Sequence, residues 1–485
     1  MIRGWNLMSD TEIEELADRT ATFLSERGVE LHHPGMLDIL KRAGAQADGE
    51  TGIVRFPRAL QEAALAAAPR GLTLGRPQIP GTDPIELPLP HPEGSFYLCT
   101  GTGARGYHDP QTGTYRALTL DDVRTWGCLA SVLENIDLCA FPTPTDVPPE
   151  TVDVHALRAL LESTTRHVWI QPHTRETVPF LLDLCAARSG GKEELEKRPL
   201  ASVIACSLTP FRFKAMDIDI ILRASGYGLP IHASSLPVLG GTSPITTAGT
   251  VLAAAVEVLA MVIMAQLHRP GTAVIALATA LGMDMLSGRA VKASPEAMLT
   301  NAACAQFISR AYRLPVHTAA LTTDSFVPDG QAMVEHSVYA LMVAAAGASI
   351  LGRAGELEAA KTFSPLQLIV DDENAGLLRR LSSLQLGFGL DEESLPWEDL
   401  LSVAPGGHFL EDEHTLRHCR EAFRPGLFLR KSRDEWEAGG GKDLAERARE
   451  RAMELIAASA APPIPDSMVE ELQRIVAEAD RRLIG

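Results

Sequence analysis

From residue 119 onward, short apolar runs alternate with longer amphipathic stretches. The runs 136–141, 167–171, 201–206, 229–233, 273–278, 314–318 and 348–351 read as strands buried on both faces. Between them, 120–133, 177–187, 214–225, 248–267, 295–312 and 331–346 carry helical periodicity. Such alternation predicts a parallel sheet with right-handed crossovers. Seven strands point to an α/β fold closed as a TIM-type (β/α)8 barrel, although the pattern does not locate the eighth. No G-x-G-x-x-G opens a helix after a strand, which disfavours a dinucleotide-binding sheet.

The barrel has extensions at both ends. Residues 10–70 read as helical, starting at Asp10 with acids in the first turn, broken at His33-Pro34-Gly35 and resumed over 57–68. A proline- and glycine-rich connector, 71–92, leads to strands joined by a turn across 95–115. From Trp397 on, a Pro-Gly-Gly loop, a helix over 412–423 and two charged helices form a cap and a candidate contact between copies. The expected division is therefore an extension over 1–118, a catalytic barrel over 119–395 and a helical cap over 396–485.

Composition narrows the function. A net charge of -18 argues against nucleic acid and anionic membrane surfaces, which require basic patches. The seven cysteines are scattered singly, with no C-x-x-C pair, as expected of a reduced cytoplasmic protein. The most apolar stretch, 251–267, carries Glu257 and Gln266 and falls short of the ~20 clean residues of a membrane span, so it reads as a buried helix. The N-terminus turns acidic at once and lacks the apolar core of a signal peptide.

In barrels of this kind the chemistry gathers at the C-terminal ends of the strands. All seven loops there are polar and rich in small residues. They supply Phe141, His173, His232, His317, Asp324, Phe326, Arg353, Glu356 and Glu358. The loop SLPVLGGTSPITTAGT (235–250) holds Gly240, Gly241 and Thr242, two prolines and further threonines. A loop so costly to order implies that something docks on it. No H-x-H or H-E-x-x-H spacing links the histidines, so no metal site is expected. Gly240-Gly241 before a helix is a weak phosphate signal without lysine or Walker spacing.

Five ordered segments carry a resemblance: YLCTGTGARGYHDPQTGTYRALTLDDV (97–123), GGTSPITTAGTVLAAAVEVLAMVIMAQLHRPGTAV (240–274), LTTDSFVPDGQAMVE (321–335), GASILGRAGELEAAKTFSPLQLIVDDE (347–373) and PGGHFLEDEHT (405–415). Together they resemble the trimethylamine methyltransferase family of corrinoid-dependent barrel enzymes. The resemblance implies a TIM-type barrel with an N-terminal helical extension. It also implies a partner corrinoid protein that carries cobalamin, whose cobalt receives a methyl group. Methylamine-specific members carry pyrrolysine in the barrel. This chain has only the twenty standard residues, the corresponding position lying in or near 324–329. Members without pyrrolysine are associated with quaternary amines, glycine betaine being the type.

The chemistry leads the same way. A quaternary ammonium already bears its positive charge, so a neutral amine departs without a proton donor or covalent activator. An enzyme for it works by positioning and by excluding water. A permanent cation is held by carboxylates and aromatic faces. With aromatics at only 5%, Tyr97, Tyr107, Phe141 and Phe326 stand out, with Glu356, Glu358 and Asp324 as charge partners. Glu356, Asp324 and His317 are the candidate catalytic residues; Arg353, His173 and His232 are candidate donors to a substrate carboxylate. Gly240, Gly241, Thr242, Gly355 and His408 are candidates for the rim that meets the corrinoid. Trimethylamine, a sulfonium such as dimethylsulfoniopropionate, a zinc-dependent thiol methyltransferase and a barrel that binds without turnover are the alternatives.

Overall fold

In the computed structural model, which describes residues 5–386, 390–391 and 393–485, a ring of eight parallel strands forms the centre. These are β1 (Tyr97–Thr100), β2 (Leu138–Ala140), β3 (His167–Ile170), β4 (Ala201–Cys206), β5 (Ile231–Ser235), β6 (Val274–Ala278), β7 (Val316–Ala319) and β8 (Ile350–Ala354). Neighbours follow chain order, and β8 pairs with β1 to close the ring, with a register break between Leu351 and Ala354. All seven expected strands are present. The missing one is Tyr97–Thr100, inside the segment read as an extension, so the boundary expected at residue 119 falls after the first barrel strand. The remainder of that segment, Gly106–His108 and Tyr115–Ala117, forms a hairpin that pairs with Thr362–Phe363 beside β8.

Three helices precede the barrel: α1 (Asp10–Glu26), α2 (Pro34–Arg42) and α3 (Arg58–Ala67). The break expected at His33-Pro34-Gly35 is instead a helix start. Proline stands at the first helical position, where no amide partner is needed, and His33 Nδ1 accepts from the Met36 amide at 3.1 Å. The ring is surrounded by α4 (Leu120–Val132), α5 (Val152–Ser163), α6 (Val178–Ser189), the short α7 (Lys192–Lys197), α8 (Ala215–Gly226), α9 (Thr247–His268), α10 (Pro295–Ala311), α11 (Gly330–Ala345) and α12 (Pro365–Leu386). Beyond it lie α13 (Trp397–Ser402), α14 (Glu413–His418), α15 (Arg433–Ala438), α16 (Leu444–Ala458) and α17 (Asp466–Leu483). The helix expected over 412–423 is thus shorter. The charged pair α16 and α17 lies against α4, α5, α6 and α12.

The N-terminal end of the ring is plugged. The antiparallel hairpin Leu72–Gly75/Glu86–Leu89 places Leu74, Leu87 and Leu89 against the inward-facing Tyr97, Leu138 and Trp169. Asp137 fastens this end. Its carboxylate pairs with Arg76 at 3.0 Å and with Arg379 at 2.5 Å, and accepts from the Leu98 amide at 3.0 Å. Paired and hydrogen-bonded on all sides, this buried charge is compensated as burial requires.

Among the described residues, α9 is the helix long and apolar enough to cross a bilayer, and here it is buried beneath α1, α2 and α3 and between α8 and α10. The two polar side chains within its apolar stretch 251–267 are spent locally. Gln266 donates to Thr272 O and accepts from the Gly271 amide, closing the lower end. Glu257, fully buried, accepts from the hydroxyls of Ser207, Thr209 and Ser235 and from the Phe211 amide. One carboxylate therefore ties the loop after β4 to the end of β5 at the open end of the ring. Glu257→Ala strands four donors. Urea unfolding should show a loss of about 3 kcal/mol or more, with Glu257→Gln losing less.

Candidate functional site

Side chains alternate along a strand, so residues two apart share a face. His167 and Trp169 on β3, Ser202, Ile204 and Cys206 on β4, and His232 and Ser234 on β5 all follow this spacing. The upper members of each set open onto a cavity of about 320 Å3 at the C-terminal end of the ring. Trp169, Ile204, Cys206, Ser234 and Leu277 line its lower part, and Arg353 enters from β8. Gln171 and His173, just past β3, and Lys214 and Asp217, at the start of α8, complete the wall.

The segment that delivers Arg353 is held in an unusual backbone. Arg353, Glu358, Ala359 and Ala360 all have positive φ, at 85°, 54°, 53° and 70°. For residues with a Cβ each such conformation costs on the order of 1–3 kcal/mol and persists only where surrounding contacts dictate it. Those contacts are present. Glu356 Oε1 accepts from the Thr102 amide at 2.9 Å and from Arg353 Nη1 at 3.1 Å. Asp371 on α12 accepts from the Gly355 amide, His336 Nδ1 and Gln367. Glu358 accepts from the Thr362 hydroxyl, and its amide donates to Ser325 O. The Arg353 guanidinium lies 5.9 Å above the Trp169 ring, within cation–π range.

Beneath Trp169 runs a column of buried histidines. His167 Nδ1 lies 2.7 Å from Gly75 O, so it carries the proton and donates. Its Nε2 then accepts from the Ser202 hydroxyl, which in turn accepts from His232 Nε2 at 2.8 Å. His232 Nδ1 is left as an acceptor for His317 Nδ1 at 3.2 Å. One carbonyl at the plugged end thus sets all three tautomers. Burial holds every ring neutral. It lowers His167 to about 4 and His317 to about 3, where Arg353 adds to the effect, and pushes His232 well below its ordinary value.

Of the residues expected at the site, the structure brings Arg353 and His173 onto the cavity wall, with Glu356 directly behind Arg353. His232 and His317 belong to the column below Trp169 and do not line the cavity, so the donor and catalytic roles expected of them lack an open face. Tyr97 sits at the opposite end of the ring, its ring tilted against His91 at 4.8 Å, with its hydroxyl raised to about 12 by burial, and cannot meet a substrate at the mouth. Phe141 is fully buried; its carbonyl accepts from Thr102 and Gly103, and its ring packs 6.5 Å from His173. Phe326 is 70% exposed on the loop after β7. Asp324 is occupied by the Lys292 and Ala293 amides, which it holds at 3.0–3.1 Å.

Gly240, Gly241 and Thr242 lie in the loop after β5, where Thr242 Oγ1 accepts from the Val238 amide. Gly355 has a different reason for being glycine. Its φ is 81° and a Cβ would collide with Trp126, so it serves packing against α4 rather than a macrocycle's approach. Tyr107 lies under Arg116, 4.5 Å from its guanidinium, in the hairpin that follows β1. His408 is exposed in the C-terminal segment, whose neighbours His414, Arg417 and His418 attach to Glu393. Among the described residues no group of three His, Cys, Asp or Glu is placed to hold a metal ion.

Several wall residues were not anticipated. Trp169 lay inside a strand, and Asp217 and Lys214 inside a helical stretch; the Lys-x-x-Asp spacing at a helix start was the one signal for the latter pair. Asp217 is buried, and burial raises its carboxyl, which accepts from the Cys206 and Lys214 amides. Burial pushes the Cys206 thiol to about 11, so it is protonated at neutral pH. Lys292, on the hairpin after β6, is lowered to about 7 by burial and by Arg353.

Comparison with known proteins gives consistent results. The model of the trimethylamine methyltransferase (MTTB) family matches residues 1–483. The chain is 29% identical over 482 residues to the trimethylamine methyltransferase MttB of Desulfitobacterium hafniense strain DSM 10664 / DCB-2, covering 99% of this chain and 95% of that protein. It is 27% identical over 493 residues to the glycine betaine methyltransferase of D. hafniense strain Y51, covering 100% and 99%. The crystal structure of the Methanosarcina barkeri monomethylamine methyltransferase (MtmB) aligns with a TM-score of 0.51 at 14% identity, over 98% of this chain and 92% of that one, a likeness of fold.

The histidine column makes stability depend on pH. The folded values lie below the ordinary 6.5, so the unfolded chain binds the extra protons. The stabilising effect is complete above pH 6.5 and is lost as pH falls toward 4 and then 3. Each histidine contributes a slope of up to about 1.4 kcal/mol per pH unit. Urea midpoints should therefore fall steadily between pH 7 and pH 5, and less steeply in His317→Asn.

Proposed function

Since the chain belongs to the trimethylamine methyltransferase family, we propose that this methyltransferase takes a methyl group from a quaternary amine of the glycine betaine type and passes it to the reduced cobalt of a corrinoid protein. The observation that carries this reading is what the cavity lacks. Its one thiol, Cys206, is held protonated by burial. His232 and His317 are neutral and closed off below Trp169, and the imidazole that reaches the wall is that of His173. The chain has no residue beyond the standard twenty. Such a pocket positions a donor and shields it from water, and these are the two services a pre-charged leaving group needs. The 27% identity to a glycine betaine methyltransferase over the full chain supports the same donor class.

In the transfer the methyl carbon leaves nitrogen, the C–N electron pair stays on the amine, and a neutral tertiary amine departs. The corrinoid is a second substrate in this scheme, delivered on a partner protein to the open end of the ring. Asp217, with the Lys214 ammonium 3.8 Å from one of its oxygens, supplies the wall carboxylate that the substrate ammonium faces. A sulfonium donor is equally pre-charged, so it belongs in the same assay.

The test is methylation of cob(I)alamin, followed by its absorption spectrum, with glycine betaine, carnitine, choline, trimethylamine and dimethylsulfoniopropionate as donors. Methylcobalamin should form with a quaternary donor and not with trimethylamine. Turnover with trimethylamine alone would overturn the reading, and no turnover with any donor would leave a barrel that only binds.

A further inference from the structure

Two buried polar groups in the cavity wall have nothing to bind. Trp169 is 1% exposed and its indole Nε1, a donor only, has no partner. Ser234 is fully buried; its hydroxyl makes no hydrogen bond and has only the Cys206 thiol, a weak partner, beside it. Buried donors are normally satisfied, and each one left open is a cost that a ligand can remove. Both line the same cavity as Arg353, whose side chain is 13% exposed and gives one nitrogen, Nη1, to Glu356. Three donor groups thus line the cavity, two of them without an acceptor and the third, the cationic Arg353, with Glu356 at Nη1.

Asp217, in the same wall, is the opposite case. Both its oxygens already accept backbone amides, from Cys206 at 3.0 Å and Lys214 at 3.3 Å. The Lys214 ammonium stands 3.8 Å from one of them, so this carboxylate is already ion-paired. A quaternary ammonium has no N–H and needs none, whereas a carboxylate needs donors. The cavity therefore presents unsatisfied donors in one part and an ion-paired carboxylate in another, and the open valences are those a carboxylate fills.

We propose that Trp169, Ser234 and Arg353 form a seat for the carboxylate of the methyl donor, so that it enters tail first and its trimethylammonium faces the open end of the ring. The proposal rests on the quaternary-amine reading above and adds the group that sets specificity. The strained backbone at Arg353 fits this role, because the left-handed turn is what brings the guanidinium over Trp169. Choline, with a hydroxyl in place of the carboxylate, leaves the cation of the seat unmatched. Trimethylamine leaves the whole seat empty.

Calorimetric titration of the full chain separates the two ends of the ligand. Three probes are used: glycine betaine, choline, and 3,3-dimethylbutyrate, which keeps the carboxylate and replaces the ammonium by an uncharged tert-butyl group. Each is titrated into the unsubstituted chain, Ser234→Ala and Trp169→Phe; the latter keeps a ring in place while removing the N–H. Dimethylbutyrate should displace betaine. Each substitution should weaken betaine and dimethylbutyrate roughly tenfold and leave choline unchanged. Equal losses for choline and betaine, or failure of dimethylbutyrate to displace betaine, would overturn the seat. Dimethylbutyrate binding where no trimethylammonium compound binds supports the seat and overturns the quaternary-amine reading. Betaine-dependent cobalamin methylation with betaine affinity unchanged in both variants overturns the seat and leaves that reading standing.

Discussion

The carboxylate of Glu356 lies where the ring closes. It comes from the turn just beyond the last strand and accepts from Thr102, just past the first, while its other contact is Arg353. The neighbouring Gly101 has no room for a side chain, because a Cβ there would collide with Glu356 itself. Closure of the barrel and orientation of the guanidinium therefore depend on the same buried charge. A charge in that position is tolerable only with partners, and its partners are the two things it organises. The positive φ angles that follow are the local expense of turning the chain sharply enough to bring both groups together.

Around that pair the open end of the ring is built in two tiers. The lower tier is polar yet neutral: three histidines and a serine, linked donor to acceptor from Gly75 upward. It adds no charge beneath the Arg353–Glu356 pair. The upper tier holds the cavity and carries the charged groups Arg353, Lys214 and Asp217. Trp169 is the boundary between the tiers, in contact with both.

Much of this fold was legible because parallel strands buried on both faces appear as uninterrupted apolar runs. The first strand was legible as a strand but not as part of the ring, because Tyr97–Thr100 is only four residues long and runs into Gly-rich sequence and a hairpin of the same apparent period. Leaving it out of the ring also reversed the reading of Tyr97, since a strand placed outside the barrel cannot say which end of the barrel its residues face. The segment 353–360 was legible as a polar loop with chemistry, and Arg353 and Glu356 are indeed paired there. His232 and His317 were misplaced by depth. Both lie within their strands, and a shift of two residues along a strand is one layer of a barrel interior, which separates a wall from the packing beneath it. Ser234 stood just past the expected strand 229–233, but Trp169 gave no signal at all, and the vacancy at either could not be read, because a hydrogen-bonding vacancy is a property of three-dimensional surroundings and leaves no spacing in the chain.

The apolar helix α9 has a consequence for how the molecule is made. The layer that shields it, α1 to α3, is encoded far upstream, as is most of the ring it packs on. During synthesis the cover is therefore already outside the ribosome when this greasy rod emerges, and shelter precedes exposure. A chain with the same elements in permuted order would extrude its most adhesive segment into open water, at the mercy of chaperones and of other nascent copies.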